Sequence, residues 1–373
     1  MSKLSLVLLA AGGSTRFKLD VKKQWLRVDE DPLWYFVAKK FKSSGLFNKI
    51  VITSSSADIA YMKNFGDFIY VEGGSSRQES LKNALDHISS EHVLVSDIAR
   101  SCVDVEFLRS IISQKNRADV IVPALGLQDT VVYDNKTIDR SLVKVVQTPQ
   151  LSKTEVLKKA LLTDVEYTDE SSAIVAKGGS RHFVEGIEDA HKITTISDLK
   201  KISCLRSPSS NILTGFGYDV HAFDSKGEMF LGGMAIKSSY GFKAHSDGDV
   251  ALHALIDALL GAAGMGDIGE LFPPSDDRYK DIDSKELLKI VVAKLHNYGF
   301  SVSGVDLSIA CEKPKLSKYK AGMREVIGSI LRLPPQRANI KATTSEKLGF
   351  VGRGEGVAVY AVANLKYFDW TKI

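Results

Sequence analysis

The chain is poor in cysteine: its 373 residues carry three, Cys102, Cys204 and Cys311. None stands in a C-x-x-C pair and the number is odd, so neither a disulfide framework nor a thiolate zinc knuckle is expected. The sequence reads as reduced thiols in a reducing compartment, and hence as a cytoplasmic protein. Long apolar runs are missing as well. The run over residues 4–11 is too short to span a bilayer, and it leaves through Gly12-Gly13 toward Arg16. That exit suits a buried strand feeding a loop better than a secretory signal. A strong excess of one charge is also absent, since Lys+Arg exceed Asp+Glu by 49 − 45 = 4. So small a surplus argues for neither nucleic acid nor a membrane surface, but it suits pockets for phosphorylated small molecules. The first loop is neither a Walker A loop nor G-x-G-x-x-G, and no kinase motif set, Ser-His-Asp set or cysteine nucleophile is evident.

What remains is an ordinary globular composition, 44% hydrophobic and 25% charged, long enough for two domains or three small ones. The first half alternates element types. Strands are expected over residues 4–10, 49–54, 92–96 and 118–123, and helices over 32–41, 77–88 and 103–115. Such alternation predicts an α/β fold with an open, mostly parallel sheet, and ligands at the carboxyl ends of its strands. There the first strand delivers Ala10-Ala11-Gly12-Gly13-Ser14-Thr15-Arg16. Its glycines allow backbone N–H groups to approach phosphate oxygens, with Arg16 and Lys23 adding charge. A plain strand-to-helix turn is the alternative. Asp97, Arg100, Thr130, Arg140 and Lys192 also follow element ends, where solvated or capping roles are common. Residues 168–173 are expected to open a helix.

These pieces, in this order, resemble 2-C-methyl-D-erythritol 4-phosphate cytidylyltransferases of the non-mevalonate isoprenoid pathway. The shared motifs run from Leu9-Ala10-Ala11-Gly12 through Gly73-Gly74-x-x-Arg77-x-x-Ser80 to Lys192. The resemblance implies that Arg16 and Lys23 bind the CTP triphosphate and stabilise charge at the α-phosphorus. It places Ala10, Ala11, Gly12, Gly74 and Ser80 around the cytosine, and Asp97 at the ribose and magnesium, with Arg100 beside it in the substrate site. Thr130, Arg140 and Lys192 would hold the methylerythritol phosphate. The chain departs from the family pattern at Lys22, where proline is usual, and at Ser96 and Ser101 in the His-Asp-Ala-Ala-Arg-Pro run.

Residues 203–211 are polar and aperiodic, the expected linker. The resulting division is 1–205, a linker at 206–211, and 212–373. Beyond it, Asp219 and His221 stand two apart, which on a strand puts both side chains on one face. The run 248–261 has helical apolar spacing and carries His253. Two imidazoles and a carboxylate suit zinc or a similar ion with a fourth position left open. His245-Ser246-Asp247, opening that helix, suits an anion.

The second half resembles 2-C-methyl-D-erythritol 2,4-cyclodiphosphate synthases over its length. The motifs are Gly217-x-Asp219-Val220-His221, Ala244-His245-Ser246-Asp247-Gly248-Asp249, Gly266-Asp267-Ile268-Gly269, and the run from Lys341 through Gly356. By that resemblance Asp219, His221 and His253 bind zinc, and Ser246 and His245 contact the diphosphate, with His245 and Thr344 stabilising the transition state. Asp267 and Gly269 would hold hydroxyl groups, and residues 272–276, from Phe272 to Asp276, the erythritol side. Cys311, Pro314, Lys315 and Leu316 would form the cytidine pocket. Thr343 and Glu346 would close on the diphosphate, Glu346 with a magnesium or manganese ion. Phe350 and Arg353 would border a central cavity. The family forms trimers with sites between neighbours, and a first half that dimerises would extend this to a hexamer or larger shell.

Together these features imply a bifunctional enzyme, a nucleotidyltransferase joined to a phosphorus–oxygen lyase. Two other readings stay open on the sequence. In one, the first half only binds nucleotide or drives assembly. In the other, the second half is a zinc hydrolase.

Overall fold

The computed structural model describes residues 4–225, 228–243 and 246–373. The chain divides into two compact units, Met1–Pro208 with Asp369–Ile373, and Ser209–Phe368.

The first unit is built on an eight-stranded sheet. The strand Leu4–Leu9, fully buried, lies between His92–Asp97 and Lys49–Ser54, parallel to both. Ile69–Glu72 continues the parallel order beyond Lys49–Ser54. On the other side Gln150–Lys153 runs antiparallel between His92–Asp97 and Val120–Leu125. The sheet is thus mostly parallel, as the alternation predicts. Two helices start a little later than expected, because polar caps precede them. Asp104 accepts the Phe107 N–H ahead of helix Val105–Ser113, and Asp169 that of Ser172 ahead of helix Glu170–Ala176.

One expectation is overturned in this unit. Cys102 and Cys204 are not separate thiols but a disulfide, with Cα atoms 5.6 Å apart. The segment from Ala190 onward folds back along the loop after His92–Asp97. Ile193 N–H donates to Ala99 O at 2.9 Å, and the Arg100 guanidinium donates to Ala190 O. That return brings together two cysteines 102 positions apart, which spacing alone could not pair. Alkylation of the denatured, unreduced protein should label Cys311 alone, and prior reduction should add Cys102 and Cys204, as read by peptide mass spectrometry.

The second unit is a five-stranded sheet in the order Gly241–Phe242, Leu213–Asp224, Gly356–Tyr367, Phe300–Ala310, Ala338–Thr343. Helix Val250–Ala263 packs on the Leu213–Asp224 strand. Gly215 and Gly217 make this possible: a Cβ there would sit 2.0 Å from Ala258 O and 1.9 Å from Ala254 O. Residues 215, 217, 219 and 221 share that face. The glycines therefore let the helix lie close, and Asp219 and His221 follow beside its first turns. The opposite face carries Phe216, Tyr218 and Val220, all exposed. Asp249 is buried and caps the helix, accepting the N–H groups of Ala251 and Leu252. Among the described residues no helix is long and apolar enough to cross a membrane.

Candidate functional site

A cavity of about 350 Å³ opens at the carboxyl end of the first strand. Ala10, Ala11, Gly12, Arg16, Lys23, Gly74, Ser80, Asp97 and Lys192 all line it. Two loops form its floor. A Cβ on Gly73 would lie 2.4 Å from the Ala11 methyl, so glycine is what allows the loops to touch. Ser80 Oγ then accepts the Gly74 N–H at 3.0 Å and fixes the second loop.

The charges of this cavity are interlocked. Lys192 Nζ is 2.6 Å from Asp97 Oδ2, and Arg77 Nε is 3.2 Å from Asp97 Oδ1. Arg77 also donates to the buried Glu170 at 2.6 Å. Burial alone would raise the Asp97 pKa, but Arg77 and Lys192 outweigh it and hold the carboxyl at about 2. Lys192 is itself placed by a capping box in which the Asp198 carboxylate accepts the Thr194 and Thr195 N–H groups at 2.9 and 2.7 Å. Lys23 donates to Ile193 O at 2.8 Å. Burial, then the nearby Lys192, brings the Lys23 ammonium down to about 8. It is therefore charged below that pH and loses its proton above it. A reaction that depends on this charge should lose kcat/KM, which reports the free enzyme, as pH climbs past about 8. In Lys23→Arg, whose guanidinium stays protonated, that fall should move to higher pH.

One departure from the expected pattern has a local explanation. Lys22 Nζ pairs with the buried Asp58 at 3.0 Å, which anchors the turn that proline would otherwise stiffen. Ser96 and Ser101 are both buried, and nothing in the structure explains why serine stands at either position.

Three expected residues do not line this cavity. Arg100 is committed to Ala190 O, and the exposed Arg140 donates to Gln128 O. Thr130 is exposed at the base of the hairpin formed by Val131–Tyr133 and Lys136–Ile138. Arg77 lines the cavity and the buried Glu170 supports it, and the sequence reading assigns a role to neither. Arg77 belongs to the motif running from Gly73 to Ser80, but Glu170 lies 93 positions from it, with no local signal.

In the second unit the ligating atoms of Asp219, His221 and His253 lie within 4.8 Å of one another. Asp219 Oδ2 is 3.3 Å from both His221 Nε2 and His253 Nδ1. His221 Nδ1 is 2.9 Å from Gly248 O, so the neutral ring carries its proton there and Nε2 is bare. Both ring nitrogens thus approach one carboxylate oxygen, an arrangement of ligand types that fits a cation. A cavity of about 570 Å³ adjoins the group, lined by Ser246, Gly269, Phe272 and Asp276 among others. Asp267 caps the helix Ile268–Leu271 through the Glu270 N–H at 2.8 Å. His245 lies outside the described residues.

The remaining expected residues form a separate cluster and do not line that cavity. Cys311 N–H donates to Thr343 O at 2.9 Å, which joins the stretch carrying Pro314, Lys315 and Leu316 to the end of strand Ala338–Thr343. Glu312 accepts the Ser345 and Lys347 N–H groups at 3.0 and 3.2 Å, and Thr344 donates to Glu346 at 2.6 Å. Phe350 lies in helix Gly349–Gly352, and Arg353, at its end, pairs with Glu355 at 2.7 Å. Burial pushes the Cys311 thiol up to about 11, so it is no thiolate nucleophile.

Residues 4–205 match the family of 2-C-methyl-D-erythritol 4-phosphate cytidylyltransferase, and residues 212–366 match the YgbB family. The bifunctional enzyme IspD/IspF of Sulfurimonas denitrificans is 64% identical over 370 residues, covering 99% of this chain and 96% of the relative. The chain belongs to the bifunctional IspD/IspF family. The IspD/IspF enzyme of Aliarcobacter butzleri is 49% identical over 373 residues, the full length of both chains. The solved structure of the bifunctional IspDF from Campylobacter jejuni matches with a TM-score of 0.93 at 49% identity, covering 99% of this chain and all of that one. An IspD/IspF enzyme carries both activities, cytidylyltransferase and cyclodiphosphate synthase, in isoprenoid precursor synthesis. The reading in which only the second half is catalytic is therefore not favoured.

Proposed function

We propose that the cavity residues divide the work as follows. In the first half, a phosphate oxygen of 2-C-methyl-D-erythritol 4-phosphate attacks the α-phosphorus of CTP, and pyrophosphate leaves. Arg16 and Lys23 meet the triphosphate and the charge developing on it. Ala10, Ala11, Gly12, Gly74 and Ser80 hold the base, and Asp97 faces the ribose with a magnesium or manganese ion. Lys192 takes the sugar phosphate. In the second half, the 2-phosphate of the CDP-linked sugar attacks the β-phosphorus, and CMP leaves. Phosphate nucleophiles are already anionic, so no general base is needed. The work is to press anions together against fixed positive groups and N–H donors.

Asp219, His221 and His253 would hold zinc, and the observation that carries this is the approach of both ring nitrogens to 3.3 Å from Asp219 Oδ2, with all three ligating atoms within 4.8 Å. When bound, the ion supplies a Lewis acid for phosphate oxygens. Ser246 lines the adjoining cavity and meets the diphosphate, while Gly269, Phe272 and Asp276 shape the wall on the sugar side.

Each site is completed by a second copy of the chain. Register places Asp219, Val359, Ile309 and Ala342 in one row across the sheet. Three inter-strand steps span about 14 Å, too far for Thr343 and Thr344 to meet a diphosphate held at Asp219 of the same chain. A neighbour's Thr344, Glu346 and Cys311–Leu316 stretch would supply what is missing. The exposed Phe216, Tyr218 and Tyr360, with the last two rings 5.1 Å apart, form the apolar face that supports a trimer. In the first half the hairpin with exposed Val132 and Tyr133 would carry Thr130 and Arg140 into a partner's cavity. Trimeric and dimeric contacts together build a hexamer or larger shell. CTP as substrate supports a cytoplasmic location. Light scattering tests the assembly: Tyr360→Asp should lower the solution mass and abolish CMP release, and an unchanged mass with full CMP release would reject the shared site.

A further inference from the structure

The hydrogen-bond chain behind His253 runs deeper than the metal group. His253 Nε2 lies 2.9 Å from the Ser284 hydroxyl, which lies 2.5 Å from Asp247 Oδ1. Asp247 Oδ2 also accepts the Ser284 N–H at 3.1 Å, and Oδ1 accepts the Asp249 N–H at 3.2 Å. Ser284 is fully buried and opens the helix Ser284–Asn297.

The direction of this chain follows from its end. An ionised carboxylate only accepts. The Ser284 hydrogen therefore points to Asp247, and the Ser284 oxygen turns a lone pair to the imidazole. Nε2 must then carry the ring proton, which leaves Nδ1 bare toward Asp219 Oδ2 at 3.3 Å. Ser246 Oγ is farther from the same nitrogen, at 3.2 Å, and already accepts the Gly248 N–H. Its own hydrogen is left for a ligand.

We propose that Ser284 and Asp247 are positioning residues that fix the tautomer and orientation of His253 as a metal ligand. This rests on the zinc reading of Asp219, His221 and His253. Without the Ser284 oxygen, only the longer contact to Ser246 Oγ remains at Nε2, and a serine hydroxyl can donate as well as accept, so the imidazole can carry its proton on either nitrogen and only one of those states offers its lone pair to the ion.

Competition with a chromophoric chelator reads the zinc dissociation constant of the full chain. Ser284→Ala is expected to weaken zinc binding about 10- to 100-fold. If Ser284→Ala does not fold, Asp247→Asn carries the same expectation: its single oxygen can still accept the Ser284 N–H, while its NH2 in the place of Oδ1 donates to the Ser284 oxygen and turns the hydroxyl hydrogen toward the imidazole. A merely structural serine would lower the melting midpoint of the metal-free protein and leave the zinc constant alone, and that pattern overturns the proposal. His253→Ala separates the two readings. Loss of zinc there with full affinity in Ser284→Ala sinks only the positioning role, whereas retained zinc in His253→Ala sinks the metal assignment itself.

Discussion

Replacing Lys23 by alanine is expected to slow pyrophosphate release from CTP about 10²- to 10³-fold, with CMP release by the second half unchanged. Lys23 is held rather than free to wander: its ammonium bonds Ile193 O at 2.8 Å on the cavity wall. A positive group fixed in advance stabilises a transition state without the cost of reorganising at the moment of reaction. Alanine removes that charge and leaves water in its place. The neighbouring Lys192 does not substitute, because its pairing with Asp97 at 2.6 Å holds it at the position proposed for the sugar phosphate. The measurement is a coupled pyrophosphate assay on the full chain, with the second activity as an internal check on folding. A rate within tenfold of wild type would mean that Lys23 does not meet the developing charge.

The second large effect is expected at His253. His253→Ala should lower CMP release about 1,000-fold or more, since several kcal/mol of charge stabilisation is at stake and each 1.4 kcal/mol is roughly tenfold. Zinc content by elemental analysis should fall with it, while CTP turnover persists. The imidazole also closes the chain to Ser284 and Asp247, so the substitution removes the ring N–H from the Ser284 oxygen while the hydroxyl keeps its bond to Asp247. Product analysis distinguishes the reaction type. A linear product in place of the cyclic diphosphate would restore the hydrolase reading.

The parts of this arrangement that are local in sequence were legible there. Asp219 and His221 share a face because strand side chains alternate, and His253 lies on a helix marked by its apolar period. The Gly-rich loop and Lys23 follow one strand end. What sequence could not supply are the long-range closures. Ser284 reaches His253 across 31 positions, and Glu170 reaches Arg77 across 93. Nothing near either residue marks it, because each is defined by a partner that only the fold brings close. The Cys102–Cys204 bond is of the same kind, and composition pointed the wrong way. Asp249 shows the converse. It stands in a motif that reads as chemical, yet its carboxylate is consumed by the backbone N–H groups of Gly232, Gly233, Ala251 and Leu252.

The chain's end returns to its beginning. Asp369–Ile373 clusters with the first unit, and there the buried Trp370 indole donates to Arg27 O at 2.6 Å. The polypeptide thus crosses between units twice, after Pro208 and again after Phe368. A single scission at the linker would not liberate two native pieces. The front fragment would keep a socket with no plug, and the rear fragment would trail an indole with nowhere to go. Dissecting this enzyme calls for intact chains disabled at one centre or the other.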